Sequence, residues 1–281
     1  MRRCTFATKV HTSMPTKDLD HLKHHACRAV REVGAFLRQE TNKVLPHHIE
    51  EKHRSGLVTY VDRTAEQMLI ERLSILLPEA GFFTEEETVG REPQANLCWI
   101  VDPLDGTTNY LYGIPHYSIS VGLRSGDELM LGIVYHVVHD EMFYAMRHGG
   151  AWCNEQPIRV SERHALAQAL VATGFPYHNT SRMEPWIDVL RIVTTQGRAV
   201  RRFGSAALDL AYVACGRFDI FYEYGLSAWD VAGGALLVHE AGGRISDFQG
   251  GNGFLNGGEV LACNAYVFEP MLQIVSAAFY P

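Results

Sequence analysis

The chain has 281 residues, 47% hydrophobic and 20% charged, enough for a large core in one big domain or two intimate halves. Its formal net charge is −7, with Lys and Arg scattered, which argues against a nucleic-acid-binding face. No apolar run has the length of a membrane span, and the N-terminus lacks the apolar core of a secretory signal. Six well-separated cysteines without a Cys-x-x-Cys pair suit a reducing compartment, which points to the cytoplasm.

Residues 1–17 read as a loose tail and 18–281 as a single domain. Leu19, Leu22, Ala26, Ala29, Val30, Val33, Phe36 and Leu37 recur at helical spacing and predict an amphipathic helix. Leu57–Val61 reads as an extended segment reaching Asp62. A second helix follows, with Ala65, Met68, Leu69, Leu73, Leu76 and Leu77 on one face, and Asp62 at its mouth suits a cap. Glu85-Glu86-Glu87 is a run of acids that a solvated loop would carry. Leu97–Val101 reads as a buried strand that stops at Asp102-Pro103, because proline cannot donate to a ladder.

Three antiparallel strands are expected next, at Tyr117–Leu123, Glu128–Val138 and Glu141–Met146, joined by short polar turns. From about residue 161 the pattern changes to strands alternating with helices, so a first half to about 160 precedes an α/β half. Strands are expected at Leu170–Thr173, Arg198–Phe203, Arg217–Tyr224 and Val260–Cys263. Helices are expected at Met183–Thr195, Ser205–Cys215, Asp230–Ala241 and the C-terminus. The fold class is mixed α/β (α+β), with layered helices and sheets.

The chemistry concentrates in Val101-Asp102-Pro103-Leu104-Asp105-Gly106-Thr107-Thr108-Asn109-Tyr110. Two carboxylates stand at the carboxyl end of a strand, beside small residues suited to a helix start. A helix start offers unpaired N–H groups that suit a phosphate. Hard carboxylates beside it suit Mg²⁺, which takes oxygen ligands and keeps several waters. Metal-assisted phosphoryl transfer is the reading that results. Fourteen histidines include no spacing that matches a four-ligand zinc site. His136 and His139, of opposite parity on a strand, are expected to point apart.

This stretch resembles the signature of the inositol monophosphatase family. Phe83-Thr84-Glu85-Glu86-Glu87 upstream supports the resemblance, as do Trp229-Asp230-Val231-Ala232-Gly233 and Glu240-Ala241-Gly242-Gly243 downstream. The resemblance implies the αβαβα sandwich shared by inositol monophosphatase and fructose-1,6-bisphosphatase. It also implies two or three Mg²⁺ ions, the third a weaker one near Glu85. Glu85, Asp102 and the carbonyl of Leu104 would hold one ion; Asp102, Asp105 and Asp230 would hold another. Thr107 and Asp62 would hold and activate water, with Glu85 counted in the catalytic set.

Substrate would be held by Asp105, the amides of Gly106, Thr107 and Thr108, the Gly204-Ser205-Ala206 turn, Glu223 and Asp230. The implied reaction is hydrolysis of inositol monophosphate by a cytoplasmic homodimer, with a small phosphorylated polyol as partner and neither nucleic acid nor membrane. Thr108-Asn109-Tyr110 departs from the Lys-Glu-Phe of the nucleotidase branch. The alternatives are the same chemistry on fructose 1,6-bisphosphate, histidinol phosphate or 3′-phosphoadenosine nucleotides, and a non-catalytic regulatory protein.

Overall fold

The computed structural model describes residues 16–53, 56–90, 92, 95–177, 180–256 and 258–281. The tail expected over residues 1–17 lies outside the described residues except for its last two, which already belong to the first helix. That helix, α1 (Thr16–Glu40), is followed by the hairpin β1 (Glu50–His53) and β2 (Gly56–Val58) and by helix α2 (Tyr60–Leu76). Next come β3 (Gly81–Thr84), β4 (Leu97–Asp105) and the short helix α3 (Thr107–Leu111). A meander follows, of β5 (Ser118–Ser125), β6 (Glu128–His136), β7 (Glu141–Met146), β8 (Gly150–Cys153) and β9 (Gln156–Ile158). The rest is β10 (Leu170–Thr173), α4 (Met183–Gln196), β11 (Ala199–Arg201), α5 (Ala206–Ala214), β12 (Ile220–Tyr224), α6 (Ala228–Glu240), β13 (Arg244–Ser246), β14 (Glu259–Cys263) and α7 (Phe268–Phe279).

Strands β3 to β9 form one sheet in sequence order, antiparallel except for β3 beside β4. The second sheet has the order β11-β10-β12-β14-β13. Successive side chains of a strand point to opposite faces, and each sheet uses both. In the first, Ile119, Val121, Leu123, Ile133 and Tyr135 pack with Val30, Val33, Leu69 and Leu73 of α1 and α2. In the second, Phe221, Val260 and Ala262 turn to α5 and α6, while Ile220, Tyr222, Leu261 and Cys263 turn to α4 and α7. The layers are therefore α1/α2, sheet, α5/α6, sheet, α4/α7. This is the αβαβα sandwich.

Helix α6 is buried from Val231 to Val238, as a helix between two sheets must be. It lies on the first sheet at backbone distance: a Cβ on Gly132 would fall 2.4 Å from the carbonyl oxygen of Gly233. Glycine at both positions lets helix and strand meet, and so fixes where the first turn of α6 stands.

Several boundaries differ from the sequence reading by a few residues, and three of them bear on the acids Asp62, Asp102, Asp105 and Asp230. β4 does not stop at Pro103 but continues to Asp105. Pairing with β3 ends at Val101, so Pro103 needs no donor on that edge. The extended segment at Leu57–Val61 is shorter, because Thr59 caps α2 and Tyr60 is already helical. Likewise α6 begins at Ala228, capped by Ser227, two residues before Asp230.

Candidate active site

Asp102 and Asp105 are three residues apart on one strand, so a regular ladder would send them to opposite faces. The ladder with β5 is irregular at this point: Asp102 stands opposite Ser120, and Asp105 stands opposite Ser118. Three steps on β4 match two on β5, the signature of a bulge, which re-aims a side chain. Both carboxylates consequently face one point. Their oxygens lie within 4.8 Å of each other and of an oxygen of Asp230.

Each carboxylate commits one oxygen to the scaffold. Asp102 Oδ1 accepts the Leu104 N–H at 2.9 Å. Asp105 Oδ2 accepts from the Ser205 hydroxyl at 2.5 Å, the Ala207 N–H at 2.9 Å and the Ser118 hydroxyl at 3.4 Å. Asp230 is the third residue of α6 and closes a capping box, its Oδ2 accepting the Ser227 N–H at 2.7 Å. Asp62 plays the same part in α2, accepting the Thr59 N–H and hydroxyl on Oδ2, both at 2.8 Å. Its Oδ1 accepts the Thr107 hydroxyl at 3.1 Å, and that hydroxyl also lies 3.0 Å from the Leu104 carbonyl.

Burial and mutual repulsion push these acids toward the protonated form. Asp102 is raised well above the usual carboxylate range, first by desolvation and then by Glu85, Asp105 and Asp230. Asp230 is raised by desolvation and then by Glu85 and Asp105. Asp105 is pushed up to about 6, mainly by desolvation, with the Ser205 hydrogen bond opposing. Asp62 is also raised, desolvation outweighing its Thr59 bonds. Glu85 repels all four, so within the acidic run it is the member that the cluster feels, from outside the 4.8 Å grouping of Asp102, Asp105 and Asp230. Hard oxygens converging here, in no ion pair with a Lys or Arg among the described side chains, fit a divalent ion such as Mg²⁺.

Gly106 caps α3 at φ 97°, where a Cβ would come within 3.1 Å of the Gly204 carbonyl oxygen. Thr108 is exposed on the first turn of α3. Asn109 ties this turn to the 203–206 segment, donating to the Phe203 carbonyl at 2.7 Å. Ser205 caps α5. A cavity of about 110 Å³ opens beside the carboxylates, with Asp105, Gly204, Ser205, Ala206, Glu223 and Asp230 in its wall. Wider clefts lie elsewhere and hold none of these acids. Glu223 is pushed up to about 8, by burial first, with Arg202 opposing and Asp105 adding.

Gly174, Arg202 and Asp209 also line this cavity, and the sequence reading passed over them. Asp209 is 2% exposed with an unpartnered Oδ1; an acid in the otherwise apolar Ala206–Ala214 helix was the available signal. The histidine expectation is corrected. His136 Nε2 and His139 Nδ1 are 2.9 Å apart, because β6 ends at His136 and His139 lies in the following turn, where strand parity no longer applies.

The model of the inositol monophosphatase family matches residues 18–277. The chain is 38% identical to Nus factor SuhB of Pseudomonas aeruginosa, over 91% of this chain and 96% of that protein. It is 39% identical to inositol-1-monophosphatase of Mesorhizobium japonicum, over 88% and 93%. Among solved structures, extragenic suppressor protein suhB of Bartonella henselae superposes with a TM-score of 0.86 at 36% identity, covering 91% of this chain and 98% of that one. Thermotoga maritima IMPase does so with 0.83 at 30% identity, covering 92% and 98%. On this agreement of sequence, fold and site, the chain belongs to the inositol monophosphatase family.

Proposed function

We propose that the chain hydrolyses a phosphate monoester of a polyol, inositol monophosphate before others, with Mg²⁺. The convergence of Asp102, Asp105 and Asp230 beside the Asp62–Thr107 pair carries this reading. Glu85, Asp102 and the Leu104 carbonyl would hold one ion, Asp102, Asp105 and Asp230 a second, and a third, weaker ion would sit near Glu85. When bound, the ions neutralise the charge developing on the phosphoryl oxygens and acidify water.

The chain's own groups do the rest. Thr107 donates to Asp62 Oδ1, which leaves a hydroxyl lone pair to receive a water proton and aims that water's oxygen. Asp62, more basic than an exposed carboxylate because of its burial, accepts the proton through Thr107. Amides of Gly106, Thr107 and Thr108 would take the phosphate. Gly204, Ser205, Ala206 and Glu223 would line the alcohol, with Asp105 and Asp230 between the two ends. The same reading keeps the homodimer and the cytoplasmic setting, the latter supported by five free cysteines among the described residues.

Relatives named as Nus factors support a second reading, a non-catalytic binding role; the filled acid set supports catalysis instead. Phosphate release should be measured with and without Mg²⁺ on inositol 1-phosphate, fructose 1,6-bisphosphate, histidinol phosphate and 3′-phosphoadenosine 5′-phosphate. Asp105→Asn serves as control. Mg²⁺-dependent release led by the inositol ester is expected. Preference for another ester would replace the substrate, and no metal-dependent release from any would leave the binding role.

A further inference from the structure

Glu66 is a carboxylate with no exposure to solvent, and the chemistry above does not use it. It stands one helical turn after Asp62 on α2, hence on the same face. Its Oε2 accepts the Glu86 N–H at 2.7 Å. Its Oε1 accepts both the N–H and the hydroxyl of Thr88, each at 2.7 Å. Pairing of β3 with β4 ends at Thr84, so this stretch has left the sheet, save for the Glu85 N–H on the Val101 carbonyl at 3.2 Å.

Between the two bonded amides, Glu87 adopts a left-handed conformation at φ 54°, which costs a non-glycine residue energy. That turn aims the amides of residues 86 and 88 at one anion, and the anion is the chain's own Glu66. A buried carboxylate is held only when its oxygens are satisfied, and these three donors do so.

We propose that Glu66 is a positioning residue, clamping the 85–88 loop from the helix face that carries Asp62 and so setting Glu85 against Asp102. One helix then holds both the water-orienting acid and the acid of the adjoining cation site. The inference rests on the metal-dependent reading of that site.

The test is calorimetric titration of Mg²⁺ alone into metal-stripped full-length protein, with turnover against Mg²⁺ concentration in parallel. Glu66→Gln keeps the shape but turns an amide NH₂ toward N–H donors. It should raise the Mg²⁺ dissociation constant by about 10- to 100-fold and leave kcat at saturating Mg²⁺ within about 3-fold. Thr88→Val, which removes the hydroxyl bond only, should give a smaller shift in the same direction, and it reads the clamp should Glu66→Gln fold poorly.

Asp219→Asn is the stability control. Asp219 is fully buried and bonded to Arg163 and the Leu170 N–H, at the end of β12 away from Glu223. This variant should melt earlier with unchanged Mg²⁺ affinity. A normal dissociation constant in Glu66→Gln and Thr88→Val overturns the proposal, as does an equal shift in Asp219→Asn. Wild-type protein that takes up no Mg²⁺ instead overturns the metal-dependent reading, and the clamp's purpose with it.

Discussion

Gly174→Ala probes the alcohol end of the site without replacing an acid. A Cβ at Gly174 would lie 1.9 Å from Glu223 Oε1 and 2.1 Å from its carboxyl carbon, where ordinary contact begins at 3.4 Å. The carboxylate must therefore retreat by about 1.5 Å, which moves it out of hydrogen-bond reach of anything it held. The obstacle is the far end of a flexible side chain, so the fold should survive with a melting temperature close to wild type. With Mg²⁺ bound, the added positive charge favours the ionised form of Glu223, and a hydrogen bond to a charged group is worth roughly 1.5–3 kcal/mol. On that basis kcat/KM for inositol 1-phosphate should fall by about 10- to 100-fold.

The assay compares that ester with 4-nitrophenyl phosphate, whose leaving group has no hydroxyl for Glu223 to hold. Its kcat/KM should change by less than about 3-fold. Equal losses on both esters would mean the damage lies at the phosphate end. An unchanged inositol ester would remove Glu223 from the substrate contacts. Either result refutes the reasoning.

Thr107→Ala breaks the link between water and Asp62; kcat should fall by roughly 10²- to 10⁴-fold, while the Mg²⁺ titration midpoint moves by less than about 3-fold. Burial lowers His116 and His136 to about 4, so the unfolded chain takes up protons below pH 6.5 that the native chain refuses. Stability from each ring is thus lost as pH falls from 6.5 toward 4, by about 2 kcal/mol per ring at pH 5. Urea midpoints of His136→Asn should show a shallower pH dependence than wild type over that range. Asp105 has the opposite sign: raised to about 6 from 3.8, it makes metal-free protein gain stability as pH falls from 6 toward 3.8. Asp105→Asn, or saturating Mg²⁺, should flatten that part of the profile in thermal melts.

Periodicity made α1, α2 and α4 legible, because each buries one regular face, while short polar turns marked off the β5–β7 meander, whose strands are buried on both faces. The site's acids were legible from Asp102-Pro103-Leu104-Asp105-Gly106 and its distant companions. How Asp102 and Asp105 come to face the same way was not, since the bulge depends on pairing with Ser118 and Ser120. The starts of α2 and α6 were misplaced because Asp62 and Asp230 look like caps, whereas Thr59 and Ser227 do the capping and the acids close the boxes. The αβαβα layering followed from the family resemblance, since spacing alone leaves the partner of each helix open. Gly174, Arg202 and Asp209 meet only through folding, and the one local signal among them is the acid Asp209 in an otherwise apolar helix.

The depth of α6 has a kinetic consequence. Its amides lie between two sheets, so their hydrogens should exchange only when the molecule opens globally, over hours or longer. The 85–88 loop stands outside the sheet, held by Glu66 and by the Glu85 N–H on the Val101 carbonyl, so its opening is an excursion of lower free energy. A cation bound through Asp230 would then leave on the timescale of unfolding or of its own ligand exchange. One bound through Glu85 gains an additional exit each time the loop lifts. Occupancy on the Glu85 side would follow cation concentration from moment to moment, while the Asp230 side would retain its ion through brief depletion.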